Sequence, residues 1–343
     1  MTDTDKLVRK NILELTPYSC ARDEYKGSDG IFLDANENPF GPLNRYPDPY
    51  QSDLKRAVSI IKGIPEKKIF LGNGSDEIID LCFRIFCTPG KDKALTFSPS
   101  YGMYSVSAAV NDVEMITVSL DENYNIDLKK VIPLLSGSSV KIVFICSPNN
   151  PTGNCMDRSA VETIMTSFQG IVVIDEAYID FSDKPSFKDS LERFPNLVVM
   201  HTFSKAFGLA SVRVGIAFAS ESIISYFNKI KPPYNISTIN QQTVLRRIAG
   251  KGYLKGQVRK IKSERNRMTG ELARLPVVKR IWPSEANFLL IQTADADAVY
   301  DFLSARKIIV RNRNSVAKNC IRITIGTRKE NNNLLNALKD FRL

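Results

Sequence analysis

The chain has 343 residues, 43% of them hydrophobic, which predicts a large buried core divided between about two domains. The net charge of +10 is compatible with nucleic acid or small anions as partners, but the basic segment 251–267 has few aromatic residues and is typical of a solvated helix face. No apolar run is long enough for a membrane helix, no signal peptide is evident, and six cysteines lack paired spacing. We therefore expect a cytoplasmic protein that binds neither nucleic acid nor a membrane.

The first fifty residues predict little regular structure. A short amphipathic stretch ends before Pro17, and a polar segment follows it to Gly30, which predicts an arm. Residues 33–49 are dense in turn-forming residues, and irregular loops of this kind often line binding sites. Neighbouring prolines fix the direction of Tyr46, which is either a phosphate ligand or a packed surface aromatic residue.

A glycine-rich turn separates an apolar strand at 69–71 from an apolar helix. Its glycines, Gly72 and Gly74, permit a close approach of the backbone to a ligand. The first helical amides, including those of Ser75 and Asp76, direct their N–H groups at whatever lies beyond the turn. The turn predicts an anion cradle, although it matches no nucleotide-binding motif.

From residue 93 onward, apolar runs rich in β-branched residues alternate with segments of helix length. These runs occupy residues 94–97, 113–118, 140–146, 171–174, 197–200 and 214–219. The alternation predicts an α/β fold with a mainly parallel sheet flanked by helices on both faces. Ligands of such sheets bind beyond the carboxyl ends of the strands, so the side chains at those ends are the candidates for a site.

Several of the runs are followed by side chains of different chemistry. Tyr101 offers a ring that could stack on a flat heterocycle, and Asn150 offers an amide fixed by the proline after it. Asp175 places a carboxylate at a strand tip, with the phenol of Tyr178 three residues later. Together with the lysine described next, these side chains predict the complement of one cofactor.

Ser204 and Lys205 lie in the loop after the fifth run. Contact with Phe203 and Phe207 would remove water from the Lys205 ammonium and lower its pKa, so that a neutral amine could attack a carbonyl. The Ser204 hydroxyl and the guanidinium of Arg213 suit phosphate oxygens. The alternative is a surface lysine in a loop.

His201 is the only histidine of the chain. Any Ser-His-Asp triad would depend on it, and a multi-histidine metal site is impossible. No nucleophile stands at a suitable spacing, so we interpret His201 as a structural residue and predict no metal site.

After residue 231 the pattern changes to long helices and short strands. The predicted helices occupy 241–248 and 254–275, and the predicted strands occupy 288–292, 308–310 and 321–325. This pattern predicts a smaller α+β domain. Arg311 and Arg322 stand at strand ends in it, and from the residues alone surface charge is the favoured interpretation of both.

Together these motifs resemble the signature of the fold-type I pyridoxal-phosphate-dependent aminotransferases of class II. The resemblance is carried by Asn150-Pro151-Thr152-Gly153, by Asp175 with Tyr178, and by Ser204-Lys205 with Arg213. Within that family the chain resembles in particular the members that use histidinol phosphate. The motifs that narrow it are Asn36-Glu37-Asn38-Pro39, Arg45-Tyr46-Pro47-Asp48-Pro49, Tyr101-Gly102-Met103-Tyr104 and the tail Ile321-Arg322-Ile323-Thr324-Ile325-Gly326-Thr327.

The resemblance implies pyridoxal 5'-phosphate as cofactor and a role for each motif residue. Lys205 would be the Schiff-base lysine, and Asp175 would face the pyridine nitrogen and keep the ring an electron sink. Asn150 and Tyr178 would hydrogen-bond the phenolic oxygen, and Tyr101 would stack on the ring. In a homodimer with shared sites, the cofactor phosphate would be held by Gly74, Ser75, Asp76, Ser204, Arg213 and, from the other subunit, Tyr46.

The resemblance also implies the reaction, the substrates and the domains. An amino group would pass between L-histidinol phosphate and 2-oxoglutarate in L-histidine biosynthesis, with both substrates bound by Arg311, Arg322, Tyr18 and Asn287. Residues 1–43 would form an arm and loop packing with the small domain, 44–231 the large cofactor-binding domain, and 232–343 the small α+β domain. His201 and the short segment between Arg311 and Arg322 depart from the family pattern.

Other functions are compatible with the same cofactor motifs. A threonine-phosphate decarboxylase or an aromatic amino acid aminotransferase would carry nearly identical residues. A regulatory domain that binds the cofactor without catalysis would need a DNA-binding segment, and no room for one precedes Pro17.

Overall fold

A seven-stranded sheet forms the centre of the larger part of the protein. The computed structural model describes residues 4–20, 29–137, 139–250 and 252–342. The strands are β1 (Ile69–Asn73), β2 (Lys93–Ser98), β3 (Glu114–Ser119), β4 (Val140–Cys146), β5 (Ile171–Asp175), β6 (Leu197–Thr202) and β7 (Val214–Phe218). Their order is β1-β7-β6-β5-β4-β2-β3; β7 is antiparallel to both neighbours, and all other pairs are parallel. The predicted α/β architecture is confirmed.

The continuous apolar runs form strands because both faces of the sheet are covered. Neighbouring residues of one strand enter different cores, as Val143 and Phe144 do in β4 and Val199 and Val198 do in β6. The helices are α1 (Lys10–Leu13), α2 (Ser52–Lys62), α3 (Ser75–Phe86), α4 (Met103–Val110), α5 (Leu128–Leu135), α6 (Arg158–Ser167), α7 (Glu221–Ile230), α8 (Thr238–Ala249), α9 (Tyr253–Leu272), α10 (Ala296–Ala305) and α11 (Arg328–Asp340). Helices α3, α4 and α7 cover one face, and α2, α5 and α6 cover the other.

A second, antiparallel sheet forms the smaller part. Its strands are β8 (Val278–Ile281), β9 (Phe288–Thr293), β10 (Arg311–Asn312) and β11 (Cys320–Thr324), in the order β10-β11-β9-β8. One face packs on α9, α10 and α11 through residues such as Leu272, Leu303 and Ile323. On the other face Leu290 and Cys320 pack with Trp282 and with Tyr124 from the larger part.

One predicted strand of this sheet is wrong. Residues 308–310 are not a strand, because the Ile308 amide donates to the Leu303 carbonyl (3.0 Å) and so ends α10, and pairing with β11 starts only at Arg311. The edge strand β8 was not predicted, since its middle residues, Lys279 and Arg280, are charged and exposed.

The N-terminal residues contact the larger part of the protein. The Arg9 amide donates to the Ile85 carbonyl (2.9 Å) in α3, Lys229 in α7 donates to the Leu13 carbonyl (2.8 Å), and Ile12 enters the core on that face. The described residues 4–13 therefore pack on the larger part of the protein, and not on the small domain as expected. The boundaries of the three predicted segments stay a prediction, and α8, which packs beside α2, contributes Val244 to the larger core. Within the described ranges, no helix combines the length and apolar character needed to cross a lipid bilayer.

Candidate active site

Lys205 lies in the loop between β6 and β7, beyond the carboxyl ends of the parallel strands. The Phe203 amide donates to the Val214 carbonyl (3.1 Å), which closes the loop at its base, and the Phe203 and Phe207 rings beneath it are buried. The lysine itself is exposed, with its Nζ atom 5.5 Å from the centroid of the Tyr178 ring. Partial desolvation, and next the positive charge of Arg322, lower the pKa of Lys205. A larger fraction of its amine is therefore neutral and nucleophilic than in a free lysine.

Asp175 ends β5 as a buried carboxyl. Its Oδ2 atom accepts a hydrogen bond from the Tyr104 hydroxyl (2.8 Å), and its Oδ1 atom accepts one from the Ala177 amide (3.0 Å). Burial raises the pKa of Asp175, while the two hydrogen bonds and the positive charge of Lys205 oppose that rise. The carboxyl thus has two neutral donors and would be stabilised as an anion by a cationic neighbour.

Asn150 and Tyr178 approach the same place from two other loops. Asn150 is buried, and its side-chain oxygen accepts a hydrogen bond from Arg322 of β11. The Tyr178 ring is buried edge-on against Phe288 (5.1 Å between centroids), and burial raises the pKa of its phenol. The phenol therefore stays protonated and able to donate.

The glycine-rich turn lies against Arg213, which the sequence analysis placed with it at the cofactor phosphate. Gly74 precedes α3 with a φ of +76°, a conformation that favours glycine, and any Cβ atom there would meet the Arg213 guanidinium. The Asp76 carboxylate accepts hydrogen bonds from Arg213 (3.0 Å) and from the Tyr101 hydroxyl (3.1 Å). Ser75 is the first residue of α3, so its amide is one of the unpaired donors at that helix start.

The remaining predicted residues are brought together less completely. Ser204 is half-buried beside the lysine, and its amide donates to the Thr202 hydroxyl (3.0 Å). Tyr46 stacks on Tyr234 (4.4 Å between centroids) on the outer surface. Tyr18 is 73% exposed, and no hydrogen bond or ring contact found among the described residues joins it to the lysine loop.

Arg311 and Arg322 are closer than the sequence suggests. They are direct partners across the β10–β11 pair, with Arg322 in the middle of its strand. Asn287 precedes β9, and its carbonyl accepts from the Ile325 amide (2.9 Å), so it borders the same strand. The structure therefore joins both arginines and Asn287 on the small sheet, next to Asn150.

Two residues of the site have no role in the sequence analysis. Tyr104 belongs to a quoted motif, and its spacing of three residues from Tyr101 could have indicated a second ring on the same helix turn. Arg313 lies two residues after Arg311, and that alternating spacing was its only signal. The positions of both side chains depend on contacts between segments that are far apart in the sequence.

The side chains fit pyridoxal phosphate. The buried Asp175 carboxyl has neutral donors and suits a protonated ring nitrogen, the helix start with Arg213 suits a phosphate, and Lys205 supplies an amine between them. Residues 24–338 match the family described as aminotransferase class I and II. The fold and the site thus define a pyridoxal-phosphate-dependent transaminase, as predicted.

Relatives narrow this class. A protein of Parabacteroides distasonis named histidinol-phosphate aminotransferase is 52% identical over 346 residues, covering 100% of both chains. The solved histidinol-phosphate aminotransferase of Clostridium acetobutylicum is 27% identical with a TM-score of 0.80, covering 87% of this chain and 90% of its own. That of Sinorhizobium meliloti, solved in complex with pyridoxal-5'-phosphate, is 25% identical with a TM-score of 0.79 and 89% of each chain covered. The chain belongs to the class I and II aminotransferase family, among its histidinol-phosphate aminotransferases.

Proposed function

We propose that this protein transfers an amino group between L-histidinol phosphate and 2-oxoglutarate, giving imidazole acetol phosphate and L-glutamate, in L-histidine biosynthesis. The observation that carries the substrate assignment is the pair of facing arginines, Arg311 and Arg322, beside Asn150. Like charges directly opposite each other destabilise a strand pair, so an anion bound between them offsets a cost that the free protein bears. Phosphate and carboxylate are both suited to guanidinium groups.

The cofactor is pyridoxal phosphate, which supplies an aldehyde for the amino group and a ring that withdraws electrons from the substrate α-carbon. Lys205 would hold it covalently. The charged form of Asp175 would keep the ring nitrogen protonated, and Asn150 and Tyr178 would donate to the ring oxygen. Tyr101 would stack on the ring, with its hydroxyl held by Asp76.

Lys205 is also the group placed to move the proton of the reaction. Once the substrate amine has replaced Lys205 on the cofactor, the freed Lys205 amine would remove the proton from the substrate α-carbon. It would then deliver that proton to the cofactor carbon that keeps the amino group. Its lowered pKa suits this task, because an amine must be in its neutral form to accept a proton. Arg213, Ser204 and the amides at the start of α3 would hold the cofactor phosphate meanwhile.

The runner-up functions are not favoured. The relatives that match over the full length are named as histidinol-phosphate aminotransferases, whereas a threonine-phosphate decarboxylase would release carbon dioxide and need no 2-oxoglutarate. An aromatic amino acid aminotransferase would not need two facing arginines for a phosphate.

The experiment is a half-reaction titration of the purified holoenzyme. L-Histidinol phosphate should convert the cofactor to its amino form, seen as a change in absorbance, and 2-oxoglutarate should reverse the change with formation of glutamate. Borohydride treatment followed by peptide mapping should label the peptide that contains Lys205. Carbon dioxide release without 2-oxoglutarate, or labelling of a different lysine, would reject the assignment.

We propose in addition that the active enzyme is a homodimer. Large apolar side chains are exposed together in the N-terminal loop: Ile31 (90%), Leu33 (88%), Phe40 (81%) and Leu43 (63%). A second copy of the chain would bury this surface, and Tyr46, at its border, would reach the partner's cofactor phosphate. Mixing Lys205→Ala protein with Tyr46→Ala protein should restore activity, because a mixed dimer has one intact site. A monomer at assay concentration would contradict the proposal.

We also propose a cytoplasmic location. All six cysteines are free thiols, five of them buried, which suits a reducing compartment. Detection of the protein outside the cytoplasm of its native cells by fractionation would contradict this.

A further inference from the structure

The small sheet carries a third arginine next to the predicted pair. The Arg313 amide donates to the Cys320 carbonyl (2.9 Å), which continues the β10–β11 pairing by one residue. Because side chains alternate along a strand, Arg313 lies on the same face as Arg311. Arg322, the direct partner of Arg311, lies on that face as well. We call Arg311, Arg313 and Arg322 the arginine cluster.

The arginine cluster faces the larger part of the protein. Cys320, on the same face of β11, packs with Trp282 and with Tyr124 of the larger part. Arg322 donates to Asn150, which lies beyond the end of β4. The face of the small sheet that bears the three arginines is therefore opposite the helices of the small domain, and Arg322 on this face contacts the candidate active site.

The arginine cluster lacks compensation by acids. Within the described ranges, none of its members forms an ion pair with a carboxylate within 4.0 Å, whereas Arg267 and Arg274 of the same part do. The Nε atoms of Arg313 and Arg322 are buried without a hydrogen-bond partner among the described residues. Burial, followed by the charges of Arg322 and Arg311, lowers the pKa of Arg313. Three guanidinium groups on neighbouring strand positions, two of them with an unused donor, suit a doubly charged anion.

The members of the cluster differ in their distance from the reacting lysine. Arg322 contacts Asn150, and its charge acts on Lys205. Arg313 lies opposite Cys320, two positions along β11 from Arg322, and among the described residues no hydrogen bond joins it to Asn150 or Lys205. The cluster therefore has a near member and a far member.

The two amino donors also differ in how far their anionic group lies from the carbon that bears the amine. In glutamate the α-carboxylate is bonded directly to the carbon that bears the amine. In histidinol phosphate a methylene and an oxygen stand between that carbon and phosphorus, so the anion lies two bonds farther away. With the substrate amine at the position that Lys205 vacates, the short carboxylate would lie within reach of Arg322, and the longer phosphate ester would extend to Arg313.

We propose that Arg313 binds the phosphate group of the amino donor and gives the site its preference for a phosphate ester over a carboxylate. This rests on the proposed function, whose substrates it explains further. Arg313 is a specificity-determining residue in this account, since it touches the far end of one substrate and neither the cofactor nor the other substrate.

The test uses Arg313→Gln and Arg313→Lys holoenzymes, with Arg306→Gln as the matched control. Arg306 lies at the end of α10, with its guanidinium 3.6 Å from the centroid of the Phe302 ring, so its loss changes net charge equally without touching the cluster. Single-turnover half-reactions are measured with L-histidinol phosphate, L-histidinol and L-glutamate. Arg313→Gln should lower kcat/KM for histidinol phosphate about tenfold or more, the scale of a hydrogen bond to a charged group. For histidinol and glutamate, kcat/KM should change by about twofold or less. Arg313→Lys should lower kcat/KM for histidinol phosphate to an intermediate value, because lysine keeps the positive charge but lacks the two parallel N–H donors of a guanidinium group.

The outcomes separate this proposal from the proposed function. If Arg313→Gln leaves the preference for histidinol phosphate over histidinol unchanged, or slows all three substrates equally, the role of Arg313 is wrong. If the native enzyme does not use histidinol phosphate, the proposed function is wrong. Inhibition of the glutamate half-reaction by inorganic phosphate then tests separately whether Arg313 binds a phosphate group. That inhibition should weaken in both Arg313 variants and stay unchanged in Arg306→Gln. If Arg313→Gln does not fold, the same measurement on Arg313→Lys decides, and unchanged inhibition overturns the proposal.

Discussion

Removing the hydroxyl of Tyr104 tests how strongly this hydroxyl opposes the rise in the pKa of the buried Asp175 carboxyl. The hydroxyl donates to Asp175 over 2.8 Å, and Tyr104 is fully buried. Its ring stacks on Phe144, with 4.9 Å between centroids. Tyr104→Phe preserves this stacking and removes the hydrogen bond to Asp175, together with a hydrogen bond that joins the same hydroxyl to the Cys146 side chain.

The expected loss of activity follows from the hydrogen bond between Tyr104 and Asp175. A hydrogen bond to a charged group contributes about 1.5–3 kcal/mol, and about 1.4 kcal/mol corresponds to a factor of ten. Burial raises the pKa of Asp175, and the Tyr104 hydroxyl is the largest influence opposing the rise, so the variant should have a higher pKa still. The ionised carboxyl is the form that pairs with a protonated ring nitrogen. We expect kcat/KM to fall about tenfold or more at neutral pH, the scale of that hydrogen bond.

The assay is the pH profile of the histidinol phosphate half-reaction. Its acidic limb should move to higher pH in Tyr104→Phe and stay in place in Tyr226→Phe, which loses a hydroxyl donating to Asp5 over 2.6 Å on the exposed surface. Without cofactor, the raised pKa of Asp175 means that its protonated form favours folding, a contribution lost as pH rises through the folded pKa. The free energy of unfolding of Tyr104→Phe should therefore fall below that of the native protein at neutral pH, and the difference should shrink below about pH 4. Superimposable pH profiles for Tyr104→Phe and native enzyme would refute this reasoning.

Three further substitutions test other parts of the structure. Lys205→Ala should lower turnover by a factor on the order of 10³ while leaving thermal unfolding intact, and native-rate turnover would contradict the mechanism. His201→Ala removes one hydrogen-bond partner of the buried Glu176 carboxylate (2.8 Å), which also accepts from the Ser186 hydroxyl and the Phe187 amide, so urea denaturation should show an unfolding free energy lower by about 1–3 kcal/mol, whereas an unchanged value would show that the contact does not stabilise the fold. Gly215→Ala would drive a methyl group into the backbone of Gly74 and Ser75; we expect a stability loss of about 1–3 kcal/mol and weaker cofactor binding by equilibrium dialysis, and native affinity would argue against a rigid cradle.

Local sequence patterns alone predict the central sheet and the chemistry at its edge. Residues 140–146 form β4 as predicted, because a continuous β-branched run is stable only where both of its faces are buried. Parallel strands end at one edge, so Asp175, the last residue of β5, and Lys205, three residues after β6, had to lie on the same side. The pattern of apolar residues that predicts these strands depends only on residues close together in the sequence, so the sequence is enough to place them.

Which distant residues meet depends on how the whole chain folds. Tyr104 reaches Asp175 across 71 positions, because α4 packs on the face of the sheet that presents this carboxyl. The strand register decides that Arg311 faces Arg322, and a shift by one residue would turn one of the two side chains to the opposite face. The packing of β7 beside β1 brings Arg213 to the Gly74 turn. These pairings depend on which surfaces the whole chain buries, and no window of local sequence contains that choice.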